Sequence, residues 1–255
     1  MQPALTMALA LGALPTSLAH CWWGCHNGEY EAWWSWSCRC EAGWQGQCCE
    51  APVCQALDVQ ADVDLDEWTR ATWYIQEQQV TGYQPEESLY CVTATYERGT
   101  DAWVPFFSGE VIEVYNQANV GAVNGPLQND DEQTLCARLQ DESEPGKLSV
   151  APCFLPNLLS GPYWIIAIGK DGAGKYNWAV VIGGEPTEKF SDGCTTTTAG
   201  INGAGLWLFS RTPVASEEEM TSMRAALTAQ GISTSQLRQV AQTGCTYNGA
   251  YIKPS

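Results

Sequence analysis

The chain has 255 residues, of which 45% are hydrophobic and 11% are aromatic. So much apolar surface can build a packed core, which excludes a globally disordered chain. The formal net charge of −17 argues against nucleic acid and anionic membrane surfaces as partners, because like charges repel. The length admits one large domain or two small ones.

Residues 1–19 predict a signal peptide. An apolar run over residues 8–14 is followed by Ser17-Leu18-Ala19, a small-x-small ending typical of cleavage before His20. Twelve cysteines, an even number, follow this segment and favour an oxidising compartment. We therefore expect a protein that is secreted or lumenal.

Residues 20–53 are rich in cysteine and tryptophan. The stretch Cys38–Cys49 resembles the second half of an EGF-like domain, where a Cys-x-Cys precedes a Gly-aromatic pair and a closing cysteine. A module this short cannot bury a sufficient core, so we expect its six cysteines to form three disulfides. These cysteines are Cys21, Cys25, Cys38, Cys40, Cys48 and Cys49.

Six of the chain's twelve tryptophans lie in the same short segment, and it is too small to bury them all. We expect some to pack on the neighbouring domain and the rest to contact a glycan, a membrane or a protein. They are Trp22, Trp23, Trp33, Trp34, Trp36 and Trp44.

Residues 54–255 carry a series of β-prone runs bounded by Gly, Asn, Asp or Pro, as expected of antiparallel hairpins. A short helical turn at Asp62–Trp68 precedes them. The predicted strands lie within residues 73–80, 89–96, 104–115, 134–139, 147–150, 161–168, 176–181 and 206–211. A helix with a capping box at Ser216 and Glu219 follows and ends at Gly231.

This order of elements resembles the lipocalins, most closely the branch of apolipoprotein D and the bacterial outer-membrane lipocalins. The resemblance implies an all-β fold, an eight-stranded antiparallel up-and-down barrel with a C-terminal flanking helix, after a small disulfide-rich module. Such a barrel encloses one small apolar molecule. The resemblance also implies that Trp73 closes the barrel floor and that Arg211 covers it in a cation–π pair, with Ala71 replacing the family's glycine.

The resemblance to apolipoprotein D also implies two disulfides in the barrel, Cys91–Cys245 and Cys54–Cys194. Cys136 and Cys153 then remain, at opposite ends of a predicted hairpin, and we expect them to pair. All twelve cysteines are then bonded and no free thiol is left.

Strand alternation predicts which side chains line the interior, because residues i and i+2 share a face. If Trp73 points inward, then Ile75, Glu77 and Gln79 do too. With Arg211 at the floor, Trp207 and Phe209 share its face. We also expect Trp164 and Trp178 to point inward. Their large rings favour an apolar ligand such as a lipid, sterol or pigment.

The sequence contains no Gly-x-Ser-x-Gly elbow, P-loop or His-Glu-x-x-His motif. We expect no catalytic residue, metal site or cofactor, and hence a protein that binds and carries a small hydrophobic ligand. Two alternatives stay open. One is an enzyme similar to violaxanthin de-epoxidase, with Glu77 as an acid toward an epoxy-carotenoid. The other is an extracellular interaction protein that uses the EGF-like module.

Overall fold

A computed structural model describes residues 21, 24–32, 37–41, 43–128, 134–199 and 202–254. The chain divides into two compact units between Glu50 and Ala51. The predicted signal peptide lies outside the described residues, as do five of the N-terminal tryptophans: Trp22, Trp23, Trp33, Trp34 and Trp36.

Three disulfides hold the N-terminal unit together: Cys21–Cys48, Cys25–Cys38 and Cys40–Cys49. Its strands are β1 (Gly28–Tyr30), β2 (Cys38–Cys40) and β3 (Trp44–Gln45). Strands β1 and β2 form an antiparallel pair. The bridges constrain the unfolded chain, which compensates for the small apolar core of so short a unit.

The second unit is an eight-stranded antiparallel barrel, closed by the pairing of its first strand with its last. The barrel strands are β5 (Trp73–Gln79), β6 (Tyr90–Glu97), β7 (Glu110–Asn119), β8 (Leu135–Leu139), β9 (Lys147–Pro152), β10 (Gly161–Lys170), β11 (Tyr176–Ile182) and β14 (Leu206–Ser210). The predicted fold is confirmed. Short strands outside the barrel are β4 (Ala51–Pro52), β12 (Glu188–Phe190), β13 (Gly193–Thr195) and β15 (Leu237–Gln239).

The barrel has a closed end, where β5 begins and β14 ends, and an open end, where β5 ends and β14 begins. Helix α1 (Leu65–Thr69) lies just before β5 in the chain. It begins where Asp64 Oδ1 accepts from the backbone N–H groups of Asp66 (2.9 Å) and Glu67 (3.1 Å). This cap satisfies two N–H groups that have no partner inside the helix.

Helix α2 (Glu217–Ala229) packs on the outside of β10, β11 and β14. The predicted capping box is present: Glu219 N–H donates to Ser216 Oγ (3.2 Å), and Ser216 N–H donates to Glu219 Oε2 (2.8 Å). Met223 and Leu227 are fully buried, in an apolar cluster with outward-facing residues of the three strands. The helix therefore covers one side of the barrel wall.

The C-terminal tail completes the wall between β5 and β6. These two strands pair only at Trp73–Ala94 and Tyr74–Thr93, and beyond that point β15 pairs with the second half of β5. Gln242 Nε2 donates to the carbonyl oxygens of both strands, at Ile75 and Val92 (2.8 Å each). The tail thus satisfies strand edges that would otherwise be unpaired inside the barrel.

Three disulfides fasten this unit: Cys54–Cys194, Cys91–Cys245 and Cys136–Cys153. They are the pairs that we expect from the sequence, and the second of them ties the C-terminal tail to β6. Within the described residues, no helix combines the length and the apolar character needed to cross a bilayer.

Candidate functional site

The floor of the barrel is built from a tryptophan and a buried arginine. The Arg211 guanidinium lies 3.5 Å from the ring centroid of Trp73, and both side chains are buried. It donates to the carbonyl oxygens of Glu67 (2.8 Å), Trp68 (2.9 Å) and Ala71. Burial lowers the Arg211 pKa to about 9, which leaves it charged at neutral pH. The structure thus brings together the pair expected at the floor, and both side chains fill that end of the barrel.

A column of aromatic rings fills the lumen from the floor toward the open end. The Trp73 and Trp68 ring centroids lie 4.8 Å apart, and the Trp68 and Tyr96 centroids 5.7 Å apart. Tyr163 follows at 6.3 Å from Tyr96, and Trp207 at 6.2 Å from Tyr163. The lower lumen is therefore a packed core, and room for a ligand has to be sought near the open end.

Two tyrosine hydroxyl groups form the polar centre of this column. The Tyr96 and Tyr163 oxygens lie 2.5 Å apart inside the barrel. Burial raises the pKa of both phenols well above the usual value near 10. Both groups are therefore neutral at physiological pH, and each satisfies the other as a hydrogen-bond partner.

A β-bulge in β5 changes which of its side chains face the lumen. Ile75 pairs with Phe209, and both belong to the interior cluster. The register then shifts, so that Glu77 pairs with Leu208, a residue of the outer cluster under α2. Glu77 bonds to Arg224 of α2, with its Oε2 accepting from Nε at 3.1 Å. The expected inward placement of Glu77 is therefore wrong, because one extra residue in a strand reverses the alternation.

The same bulge turns Gln79 outward. Its Nε2 donates to the Thr196 carbonyl oxygen (2.9 Å), and its Oε1 accepts from the Thr196 hydroxyl (2.7 Å). The inward placement of Gln79 is therefore also wrong. Gln78 takes the inward position instead, directly opposite Trp207 in the ladder between β5 and β14. Alternation could not identify Gln78, although the polar run Gln76–Gln79 departs from a strict two-residue pattern.

Trp164 and Trp178 also lie outside the lumen, which corrects the expectation that they point inward. Both pack against the outer cluster beneath α2. The Trp178 ring lies across Gly169 of β10, where an added Cβ would come within 2.0 Å of the ring. Glycine at 169 is thus what allows this ring to lie flat on the wall. The inward residue next to Trp164 is Tyr163.

The open end presents apolar side chains that are only partly buried. Five partly buried apolar residues pack against the interior cluster. Four of them, Val80, Leu135, Val150 and Trp207, lie within two residues of the open-end terminus of their strands, and Ile168 lies near the closed end. The β9–β10 loop at this end exposes three more apolar side chains: Phe154 (60%), Leu158 (92%) and Leu159 (50%). Most of the partly buried apolar residues that border the interior therefore lie at this end.

A cleft of about 340 Å³ opens beside Val80 at the same end. Its lining residues are Gln79, Val80, Thr81, Thr198, Gln236 and Arg238. The volume falls at the lower limit of about 300 Å³ for small-molecule sites. In the described part of the chain, no group of three or more His, Cys, Asp or Glu side chains is placed to hold a metal ion.

A family model described as a lipocalin-like domain matches residues 84–242, which is more than half of the chain. The chain belongs to the lipocalin-like family. The matched segment runs from before β6 to the tail that bonds β5 and β6, and β5 completes the lipocalin-like barrel ahead of it. A comparison with curated proteins finds no match.

Three solved structures with a similar backbone have low sequence identity to this chain. Lobster apocrustacyanin A1 is 15% identical over 79% of this chain and 96% of its own, with a TM-score of 0.47. The cockroach allergen Per a 4 is 14% identical over 74% of this chain and 95% of its own, with a TM-score of 0.46. Insecticyanin from the tobacco hornworm Manduca sexta is 13% identical over 74% of this chain and 85% of its own, with a TM-score of 0.44.

Proposed function

We propose that this chain is an extracellular or lumenal lipocalin that binds and carries a small hydrophobic ligand, such as a lipid, sterol or pigment, at the open end of its barrel. The observation that carries the proposal is the set of partly exposed, inward-facing apolar residues at that end, above a packed aromatic column. Apolar surface at a concave, accessible position is where a small hydrophobic molecule gains the most from leaving water.

The secretory location is supported by six disulfides, three in each unit. Such bridges persist in oxidising compartments and are rare in the cytosol. The net charge of −17 also suits a soluble carrier, since strong like charge opposes self-association.

Binding without turnover is favoured over an enzyme of the violaxanthin de-epoxidase type. Among the described residues, Glu77 is the only buried carboxylate, and it bonds to Arg224 on the outer wall. An acid catalyst has to reach the substrate, and from this position Glu77 cannot reach a ligand in the lumen.

Contact of the N-terminal tryptophans with a glycan, membrane or protein is a separate proposal. Trp44, the one of the six that the structure describes, is half-buried. A partly exposed ring is compatible with such a contact.

The site is tested by placing a charge at each end of the barrel in turn. Leu135→Lys puts an ammonium among the apolar residues at the open end, and we expect it to weaken binding of the neutral fluorophore N-phenylnaphthylamine about ten-fold or more. The control is Trp103→Lys, in the exposed loop at the closed end, which should leave the dissociation constant unchanged. Equal affinity in wild type and Leu135→Lys would contradict the proposed site.

A further inference from the structure

The Gln78 side chain is fully buried, and it faces the lumen because its ladder partner Trp207 does. Among the described residues, nothing bonds to either its Nε2 or its Oε1. A buried amide with both polar atoms unpaired costs about 1–3 kcal/mol for each group left unsatisfied. Such groups are rare in folded proteins, so this one needs an explanation.

The neighbours of Gln78 in the same polar run do not share this feature. Gln76 Oε1 accepts from the Ala215 N–H (2.9 Å), and its Nε2 donates to the Pro213 carbonyl oxygen (3.2 Å). Glu77 and Gln79 are likewise bonded to groups on the outer wall. The unpaired amide is therefore specific to the one residue that the bulge turns inward.

The position of Gln78 places its amide at the upper boundary of the packed lumen. Directly opposed residues of antiparallel strands have Cβ atoms about 4.5–5.5 Å apart, so Gln78 adjoins Trp207, the uppermost ring of the aromatic column. Val80, two residues further along β5, is already partly exposed. Contact between the amide and a molecule at the open end requires the partly buried Trp207 ring to move aside.

We propose that Gln78 is the polar contact of the bound ligand, and that the ligand is an apolar molecule carrying a hydroxyl group at its inner end. The inference rests on the proposed function and defines its ligand class. A hydroxyl group both accepts from Nε2 and donates to Oε1, so it satisfies both polar atoms of the amide. An ether or ketone oxygen only accepts and leaves Oε1 unpaired, and a carboxylate adds a charge that is costly in an apolar lumen.

The test compares n-decanol with methyl n-decyl ether, two probes of similar length that differ in the ability to donate. Calorimetric titration of the wild-type protein should show decanol binding about ten-fold tighter than the ether. Gln78→Met keeps a similar volume without polar atoms, and it should bring the ratio of the two dissociation constants close to one. The control Gln76→Met removes an outward amide that is already bonded, and it should keep the preference for decanol.

A second readout does not depend on any ligand. Without probe, Gln78→Met should raise the melting temperature, because it removes an unpaired buried amide, whereas Gln76→Met should lower it, because it removes a bonded one. If both probes bind equally to the wild type, or if Gln78→Met keeps the preference, the role of Gln78 is overturned while the proposed carrier function stands. If neither probe binds, the carrier function fails as well.

Discussion

Replacing Arg211 with methionine tests whether the floor of the barrel depends on this buried guanidinium. Arg211→Met keeps an unbranched side chain but removes the hydrogen bonds to the carbonyl oxygens of Glu67, Trp68 and Ala71 and the contact with Trp73. The Trp68 oxygen keeps a bond from the Trp73 indole N–H (3.1 Å). The Glu67 oxygen keeps a bond from the Arg70 backbone N–H (3.4 Å). The main loss therefore falls on the Ala71 carbonyl group and on the cation–π contact.

The expected cost follows from these contacts. Each buried carbonyl oxygen left without its partner costs about 1–3 kcal/mol, and a desolvated cation–π contact contributes about 2 kcal/mol. The variant regains part of this lost free energy, because it no longer has to bury a charged guanidinium away from water. One unpaired carbonyl oxygen and the lost cation–π contact, less this recovery, give an expected net loss of about 2–4 kcal/mol in the free energy of unfolding.

The assay is urea unfolding followed by tryptophan fluorescence, with the disulfides intact. Arg238→Met is the matched control, because Arg238 is exposed and its guanidinium donates to the nearby carbonyl oxygens of residues 235 and 237. Its effect should stay within about 0.5 kcal/mol. A loss below about 1 kcal/mol for Arg211→Met, or an equal loss for the control, would refute the role assigned to the floor arginine.

Two further predictions concern α2 and the tyrosine pair. Ser216→Ala removes the helix cap and should lower the free energy of unfolding by about 1 kcal/mol in the same assay, whereas an unchanged value would argue against the capping box. Burial raises the pKa of Tyr96 and Tyr163 in the folded state. The contribution of the two neutral phenols to the free energy of unfolding is therefore complete below the unfolded pKa near 10. It is lost as the pH rises above 10, by about 1.4 kcal/mol per pH unit for each phenol. The double variant Tyr96→Phe/Tyr163→Phe should lose less free energy of unfolding than the wild type above pH 10. An identical pH dependence in the two proteins would contradict the burial of two neutral phenols.

The barrel itself was predictable because its signals are repeated many times along the chain. Eight β-prone runs, a capped helix and the spacing of the cysteines all agree with one architecture, and local signals that agree with the global fold are informative. The capping box at Ser216 shows this at one position, because residue type and spacing alone identify it.

The lining of the lumen was less predictable, because it depends on register. The alternation of inward and outward side chains holds at Ile75 and fails at Glu77, because the bulge between them inserts one extra residue. Neither side chain has a property from which the bulge could be predicted. On β10 and β11, Trp164 and Trp178 have side chains as apolar as those of the interior, so composition cannot tell the lumen from the surface beneath α2. When one face of a strand is buried in the lumen and the other under a helix, the residues of both faces are apolar and the sequence does not distinguish them.

The insertion of the tail between β5 and β6 was also invisible to pattern analysis. Strand β15 is only three residues long, and its pairing partner lies more than 150 residues away in the chain. The implied Cys91–Cys245 bridge places the tail near β6, but it does not reveal that Gln242 bonds to both strands. Long-range pairings of short segments leave little local trace.

Native mass spectrometry of the protein purified from its source tests the central claim most directly. We expect a complex heavier than the disulfide-bonded polypeptide by the mass of one small apolar molecule. Organic solvent should release that molecule, and Leu135→Lys produced in the same source should lack it. A wild-type protein that shows only the polypeptide mass, and that takes up no apolar molecule from a source extract, would contradict the claim that the open end of the barrel carries a hydrophobic ligand.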